Sequence, residues 1–540
     1  MSLEQQLLST FPEKGRVPEP FALGEPKDYP EYLLDGRVLA WEGEMQEVHS
    51  PIRLRDGETL RPTLIGRCPV QDERTALLAM DAAHAAYDNG MGRWPTMSLA
   101  ERIGHLEDFA VRMAEKRAEV VRLMVWEICK PVREAEGEFQ RTVEYIRDTI
   151  DALKDLDRAS SRFHIEQGFY AQIRRAPLGP TLCMGPFNYP LNETFATLIP
   201  ALIMGNTAIV KTPKIGKLLF SPLLEAFRDS FPRGVVNILS GDRRLVKPII
   251  ESGRINVLAF IGSSSAADAL RVIHPHPHRL RCILGLDAKN PGVLLESADM
   301  DLAAREILSG SLAFNGQRCT ALKILFAHRS RVDELLERLV EGIATLKVGM
   351  PFDEGVNITP LPVPGKTDYL TELVRDAEAK GARVMNPGGG TVAQDMFYPA
   401  LLYPVDDSMR VFHEEQFGPV VPVAAFDDVS EVLEYVVNSK YGQQISLFGE
   451  DVDEMARLID PLVNQVSRVN INSYCQRGPD KFPFTGRKDS AEGTLSVSDA
   501  LRCFSIRSVV AARGSEGNRH LLTRILRERK SNFLSTDFIF

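Results

Sequence analysis

Thr207-Ala208-Ile209-Val210-Lys211 is the second of four short apolar runs that decide the fold. The others are Thr181–Met184, Val235–Leu239 and Val257–Ile261, with helical stretches between them. That strand–helix rhythm predicts a doubly wound parallel sheet. A second alternation begins at Gly292–Glu296 and continues through Lys323–Ala327, Arg383–Met385, Ala400–Tyr403 and Val420–Ala425. The expected class is therefore α/β, with two doubly wound lobes meeting near residue 285.

Outward from this centre the patterns change. Asp72 to Leu156 is mainly helical, with Ala79, Ala82, Ala83 and Ala86 at three- and four-residue spacing. Strand candidates precede it at Glu31–Val38 and Thr63–Val70, and residues 1–30, rich in Pro, Glu and Gly, read as an irregular arm. His164–Arg175 alternates like an extended hairpin. The tail from Arg513 is polar and basic, then ends in an apolar stretch that suits docking on its own or a neighbouring subunit. His274-Pro275-His276-Pro277-His278 reads as a surface turn, because the prolines spread the imidazoles around an extended chain.

A chain of 540 residues with 44% hydrophobic and 25% charged content suits a soluble protein with a large core. A net charge of -9 argues against nucleic acid as a partner. The seven cysteines form no close pairs, which points to neither disulfides nor zinc and makes a cytoplasmic setting the expectation. The first residues lack a signal-peptide pattern, and no apolar run is long enough to span a bilayer.

One cysteine stands out. In Ala313-Phe314-Asn315-Gly316-Gln317-Arg318-Cys319-Thr320-Ala321, a helical segment enters a bend containing glycine and a strand leaves it. The adjacent guanidinium and nearby N–H groups are expected to favour the thiolate of Cys319, the nucleophilic form.

Five stretches, taken together and in order, resemble the aldehyde dehydrogenase superfamily. They are Gly185-Pro186-Phe187-Asn188-Tyr189-Pro190, Ile209-Val210-Lys211-Thr212-Pro213, Phe260-Ile261-Gly262-Ser263, the Cys319 stretch, and Glu414-Glu415-Gln416-Phe417-Gly418-Pro419-Val420. Within it, Glu138-Phe139-Gln140-Arg141, Gln317-Arg318-Cys319 and Gln476-Arg477-Gly478 are most similar to the non-phosphorylating, NADP-dependent glyceraldehyde-3-phosphate dehydrogenases. The resemblance implies an N-terminal arm and helical region (1–163), an oligomerisation hairpin (164–176), a Rossmann-like coenzyme-binding domain (177–286), a catalytic domain (287–490), a return strand (491–512) and a tail (513–540). It also implies a homodimer or homotetramer.

The same resemblance assigns roles. Cys319 attacks a small aldehyde, and Asn188 with the Cys319 backbone N–H steadies the oxyanion. Lys211, Gly262, Ser263, Glu415 and Phe417 serve the cofactor, with the N-terminus of the helix after Gly262 facing its pyrophosphate. NAD-preferring relatives carry a carboxylate three residues after the strand-end lysine. Lys214 stands at that position here and would attract a 2′-phosphate, so NADP is expected over NAD. Arg141, Arg318 and Arg477 would converge as a cradle for a substrate phosphate. No metal is implied.

The pattern breaks in Ile283-Leu284-Gly285-Leu286-Asp287-Ala288-Lys289. Gly285 occupies the place of the family's general-base glutamate, Asp287 is the nearest carboxylate, and Ala267 replaces a glycine of the cofactor turn. Three routes stay open: Asp287 as base, water activated otherwise, or acyl transfer to coenzyme A. The leading expectation is oxidation of D-glyceraldehyde 3-phosphate to 3-phosphoglycerate. Alternatives are another acidic or phosphorylated aldehyde, a coenzyme-A-acylating enzyme, or a catalytically weak scaffold.

Overall fold

A computed structural model describes residues 1–57 and 59–539. Its first sheet has eight strands, in the order Ala491–Glu492, Arg281–Gly285, Val257–Ile261, Thr181–Met184, Ala208–Lys211, Val236–Leu239, Glu31–Leu34 and Arg37–Ala40. The five central strands are parallel, with Thr181 opposite both Ala208 and Val257. Antiparallel segments from the two ends of the chain close its edges. The second sheet has seven strands, in the order Arg383–Val384, Ala400–Tyr403, Val420–Phe426, Leu322–His328, Asn290–Leu294, Gln444–Phe448 and Arg468–Ile471. The chain crosses from one sheet to the other between Gly285 and Asn290. Both sheets are near-continuously apolar, as parallel strands covered on both faces must be.

Helices cover these sheets. The one at Asn192–Ile203 is buried at every position and follows directly on the loop carrying Asn188. A helix buried all round belongs in a core, so Glu193, the one charged residue in it, is conspicuous. Val132–Ser160 runs for 29 residues and buries Glu138 and Phe139.

Three expectations change. Residues 1–30 are not simply irregular. Ser2 and Gln5 form a capping box that starts the helix Leu3–Ser9, and Leu7 and Phe11 are buried in the core. A long hairpin, Met45–Asp56 with Thr59–Pro69, replaces the single short strand expected there. The histidine run is not wholly superficial, since His274 is buried and accepts the His276 backbone N–H through Nδ1.

The expected hairpin forms strands Phe163–Glu166 and Phe169–Pro177, and Ser505–Arg513 pairs along the whole second strand, from Ser505 opposite Pro177 to Arg513 opposite Phe169. The tail docks on its own chain. After a helix at Glu516–Arg527, Leu534 is buried, and Ser535 exchanges hydrogen bonds with the Gln172 side chain at 3.1 and 2.5 Å. Among the described residues no helix is long and apolar enough to cross a membrane. Nor do they contain a cluster of acidic, His and Cys side chains arranged to hold a metal ion.

Candidate active site

A cavity of about 590 Å³ opens beyond the carboxyl ends of Val257–Ile261 and Arg281–Gly285, where the two sheets meet. Ligands of open α/β sheets bind at such crevices. Its walls include Asn188, Glu193, Asp287, Cys319 and Glu415.

Cys319 owes its position to a strained bend. Phe314, Asn315 and Gly316 have φ of 49°, 56° and 68°, three consecutive left-handed residues. Side-chain bonds between Asn315 and the backbone of Thr359, both at 3.0 Å, hold the bend. A Cβ on Gly316 would lie 2.7 Å from the Ser311 carbonyl oxygen, so glycine is required there. Beyond the bend, Asn290 Nδ2 donates to the Cys319 carbonyl at 2.7 Å. Among the described residues no acceptor takes the Cys319 backbone N–H.

The thiol is not the activated anion expected from Arg318. Burial pushes it above the ordinary cysteine range and Glu193 adds to the rise, against Lys323 and Arg477. Arg318 turns away, bonding the Thr320 hydroxyl at 3.2 Å and lying over the Tyr474 ring. Desolvation outweighs the nearby cations here.

Asn188 donates from Nδ2 to the Gln317 carbonyl at 2.8 Å, which ties its loop to the cysteine bend and leaves a second N–H. Its own backbone carbonyl accepts from Lys130 at 2.9 Å. Lys130 has no exposed surface. It pairs with Glu138 at 2.6 Å and lies 3.3 Å from the centre of the Tyr189 ring. Glu138 in turn accepts the N–H groups of Leu191 and Asn192 at 2.9 and 3.0 Å. One buried ion pair thus fixes the whole Asn188 loop.

The residues expected to serve the cofactor are held as firmly. Fully buried Glu127 accepts the N–H groups of Gly216, Lys217 and Leu218 at 2.7 to 3.0 Å, shaping the loop after Lys211. Burial, then the neighbouring Lys217, lowers Lys211 to about 8. Among the described residues Lys211 has neither ion pair nor hydrogen bond, and Lys214 is exposed beside it. Among the described residues none of the three lysines Lys211, Lys214 and Lys217 has an ion-pair partner, which fits a phosphate dianion. Buried Lys289 anchors the Glu414–Gln416 segment, donating at 2.7 Å to the carbonyls of Val411 and Glu414 and to the Gln416 side chain. Phe417, at φ 44°, meets the Phe187 ring edge-on.

Two expected roles meet competition. Asp287 accepts the backbone N–H and the hydroxyl of Ser264 at 2.8 and 2.9 Å. Its carboxylate therefore sits on the N-terminus of the helix Ser264–Val272, the place expected to face a pyrophosphate. Glu415 is ion-paired with Lys323 and accepts the Ala288 N–H at 3.3 Å.

The arginine cradle does not form as expected. Arg141 and Arg477 do converge, but on carboxylates. Arg141 grips Asp480 with two bonds at 2.9 and 2.7 Å, while Arg477 pairs with both Asp480 and Glu193. Neither lines the cavity, nor does Arg318. Two guanidiniums matched by two carboxylates leave no net charge for a third anion.

Lys130, Glu138, Glu127, Glu193 and Lys323 were not anticipated. Glu127 and Lys323 are charged residues inside apolar stretches, and such a residue is almost never fully buried without a partner.

Comparison with known proteins gives concordant matches. The aldehyde dehydrogenase family model matches residues 55–510. An NADP-dependent glyceraldehyde-3-phosphate dehydrogenase of Streptococcus equinus is 33% identical over 439 residues, covering 79% of this chain and 89% of that protein. The enzyme of the same description from Pisum sativum is 30% identical over 489 residues, covering 87% and 94%. Among solved structures, the NADP complex of NADP-dependent glyceraldehyde-3-phosphate dehydrogenase from Bacillus halodurans C-125 superimposes with a TM-score of 0.81 at 28% identity, covering 90% of this chain and 99% of that one.

Proposed function

The chain belongs to the aldehyde dehydrogenase family, and we propose that it oxidises glyceraldehyde 3-phosphate with NADP through a thioester on Cys319. The observation that carries the reading is the shared cavity of Cys319 and Asn188, with two backbone-fixed N–H donors left for an oxyanion. Bound NADP would supply the hydride acceptor. Its 2′-phosphate would suit Lys211 and Lys214, its pyrophosphate Gly262 and Ser263, and its nicotinamide end Glu415 and Phe417, the last four of which line the cavity.

The protein's own part is sequential. The Cys319 thiol gives up its proton to solvent, and its sulfur bonds to the aldehyde carbon to form a thiohemiacetal oxyanion. Asn188 Nδ2–H and the Cys319 N–H take the oxygen's growing charge, and loss of hydride leaves the thioester. The named activity of the relatives favours the phosphorylated triose. A second reading, an aldehyde without phosphate, is favoured by the mutual neutralisation of Arg141, Arg477, Asp480 and Glu193. Subunit pairing through the hairpin sheet also fits, since Ile165, Ile506 and Val509 lie more than half exposed there.

The deciding experiment follows NADPH formation from glyceraldehyde 3-phosphate without inorganic phosphate, beside glyceraldehyde and other small aldehydes. A kcat/KM highest for the phosphorylated triose, abolished by Cys319→Ser, supports the proposal. Equal or better use of uncharged aldehydes moves it to the second reading, and turnover surviving in Cys319→Ser rejects both.

A further inference from the structure

Hydrolysis of a thioester needs a base to take a proton from water. Where the family resemblance leads one to expect a glutamate, Gly285 offers no side chain, so the base must come from elsewhere in the cavity. Three carboxylates line it: Asp287, Glu415 and Glu193. Asp287 takes both Ser264 contacts on Oδ2, and Glu415 takes both Lys323 and the Ala288 N–H on Oε1.

Like them Glu193 keeps one oxygen without a hydrogen-bond partner among the described residues, but it alone of the three is held by a guanidinium. It occupies the first turn of the fully buried helix Asn192–Ile203 and is 6% exposed. Oε2 meets Arg477, while among the described residues Oε1 accepts no hydrogen bond. The pair with Arg477 fixes the direction of the carboxylate. Of the charges around the Cys319 sulfur, Glu193 has the largest effect on it. An anion that opposes thiolate formation is a liability in the first half of the reaction. It is an asset once the sulfur is acylated and carries no charge.

Resting on the thioester reading above, we propose that Glu193 is the general base for hydrolysis of acylated Cys319, with Arg477 as its positioning residue. Water's oxygen bonds to the acyl carbon while Glu193 Oε1 takes its proton. The tetrahedral centre collapses, the C–S bond breaks with its electron pair on sulfur, and the acid leaves. The proton on Glu193 then passes to the Cys319 thiolate, restoring the thiol, and the acid product ionises in solvent. No redox change occurs in this half.

The test uses the full chain with NADP and its best aldehyde. Glu193→Gln keeps the shape and one contact to Arg477 but cannot accept the proton. In quenched flow it should keep a burst of about one NADPH per site while steady turnover falls at least about 100-fold. Mass spectrometry should find the acyl group accumulating on Cys319, and Glu193→Asp should recover part of the turnover. Unchanged turnover in Glu193→Gln overturns the assignment alone, as does loss of the burst in that variant, which would place Glu193 in acylation or architecture. Wild-type turnover that requires coenzyme A also overturns it. Absence of a burst in the wild type overturns the thioester reading, and this assignment with it.

Discussion

Lys130, with no exposed surface, donates to the backbone carbonyl of Asn188 at 2.9 Å while ion-paired with Glu138. The loop bearing the oxyanion amide is thereby braced from the core side rather than by the cavity. Removing one partner of such a pair strands a charge in the interior, whereas removing both is far milder.

Lys130→Met should therefore cost roughly 3–5 kcal/mol of stability, with loss of activity as the Asn188 loop slackens. Lys130→Met with Glu138→Gln should recover much of the stability without the activity. Urea denaturation of both variants, beside kcat, checks this. A single variant as stable as the parent would show that the pair does not brace the loop.

Lys214 is exposed and free to meet a 2′-phosphate. Lys214→Glu should raise the KM for NADP about 10- to 100-fold, on the scale of a lost charge-assisted contact turned repulsive. The KM for NAD should fall or stay level. Steady-state kinetics with both dinucleotides measures the change.

Lys211 gives the cofactor step a pH dependence. Its ammonium is lowered to about 8, by burial first and Lys217 second. Below that value it is charged, and above it neutral. A phosphate monoester is largely dianionic above about pH 6. The kcat/KM for NADP should thus hold up to about pH 8 and decline above it, since that ratio reports the free enzyme. With NAD the decline should be absent, and Lys211→Arg should remove it for NADP.

Burial and Glu193 hold the Cys319 thiol protonated at neutral pH in the cofactor-free protein. Alkylation by iodoacetamide should accelerate with pH well past the range of an ordinary cysteine instead of levelling off there. Glu193→Gln should shift that rise to lower pH, because it removes the anion while leaving Lys323 in place. A rate already at its plateau by pH 7 would contradict the buried-thiol picture.

The parallel strands were legible in the sequence because each is a short apolar run between helices. Thr181–Met184, Val257–Ile261 and Ala400–Tyr403 fall where the pattern puts them. The hairpin Met45–Asp56 was hidden by irregularities at Val48/His49 and Ser50/Arg53 that break its alternation. Ser2 and Gln5 carried a readable capping signal, masked by the prolines and glycines that follow. Cys319 and Asn188 stood out from local context, and the structure brings them to one cavity. The buried charges could not be paired the same way, since Glu193 meets Arg477 across 284 residues of chain. Asp480 lies only three residues from Arg477, yet spacing alone does not reveal that it also claims Arg141.

Gly285 carries one more lesson. A Cβ there would sit 3.3 Å from a Leu495 methyl and 3.4 Å from Ile261, so hydrocarbon borders the space beside position 285. Reinstating a carboxylate at 285 would demand that Leu495 swing aside and would set a fresh negative group near Asp287. With position 285 bordered by hydrocarbon, the proposed base acts from the helix Asn192–Ile203 instead.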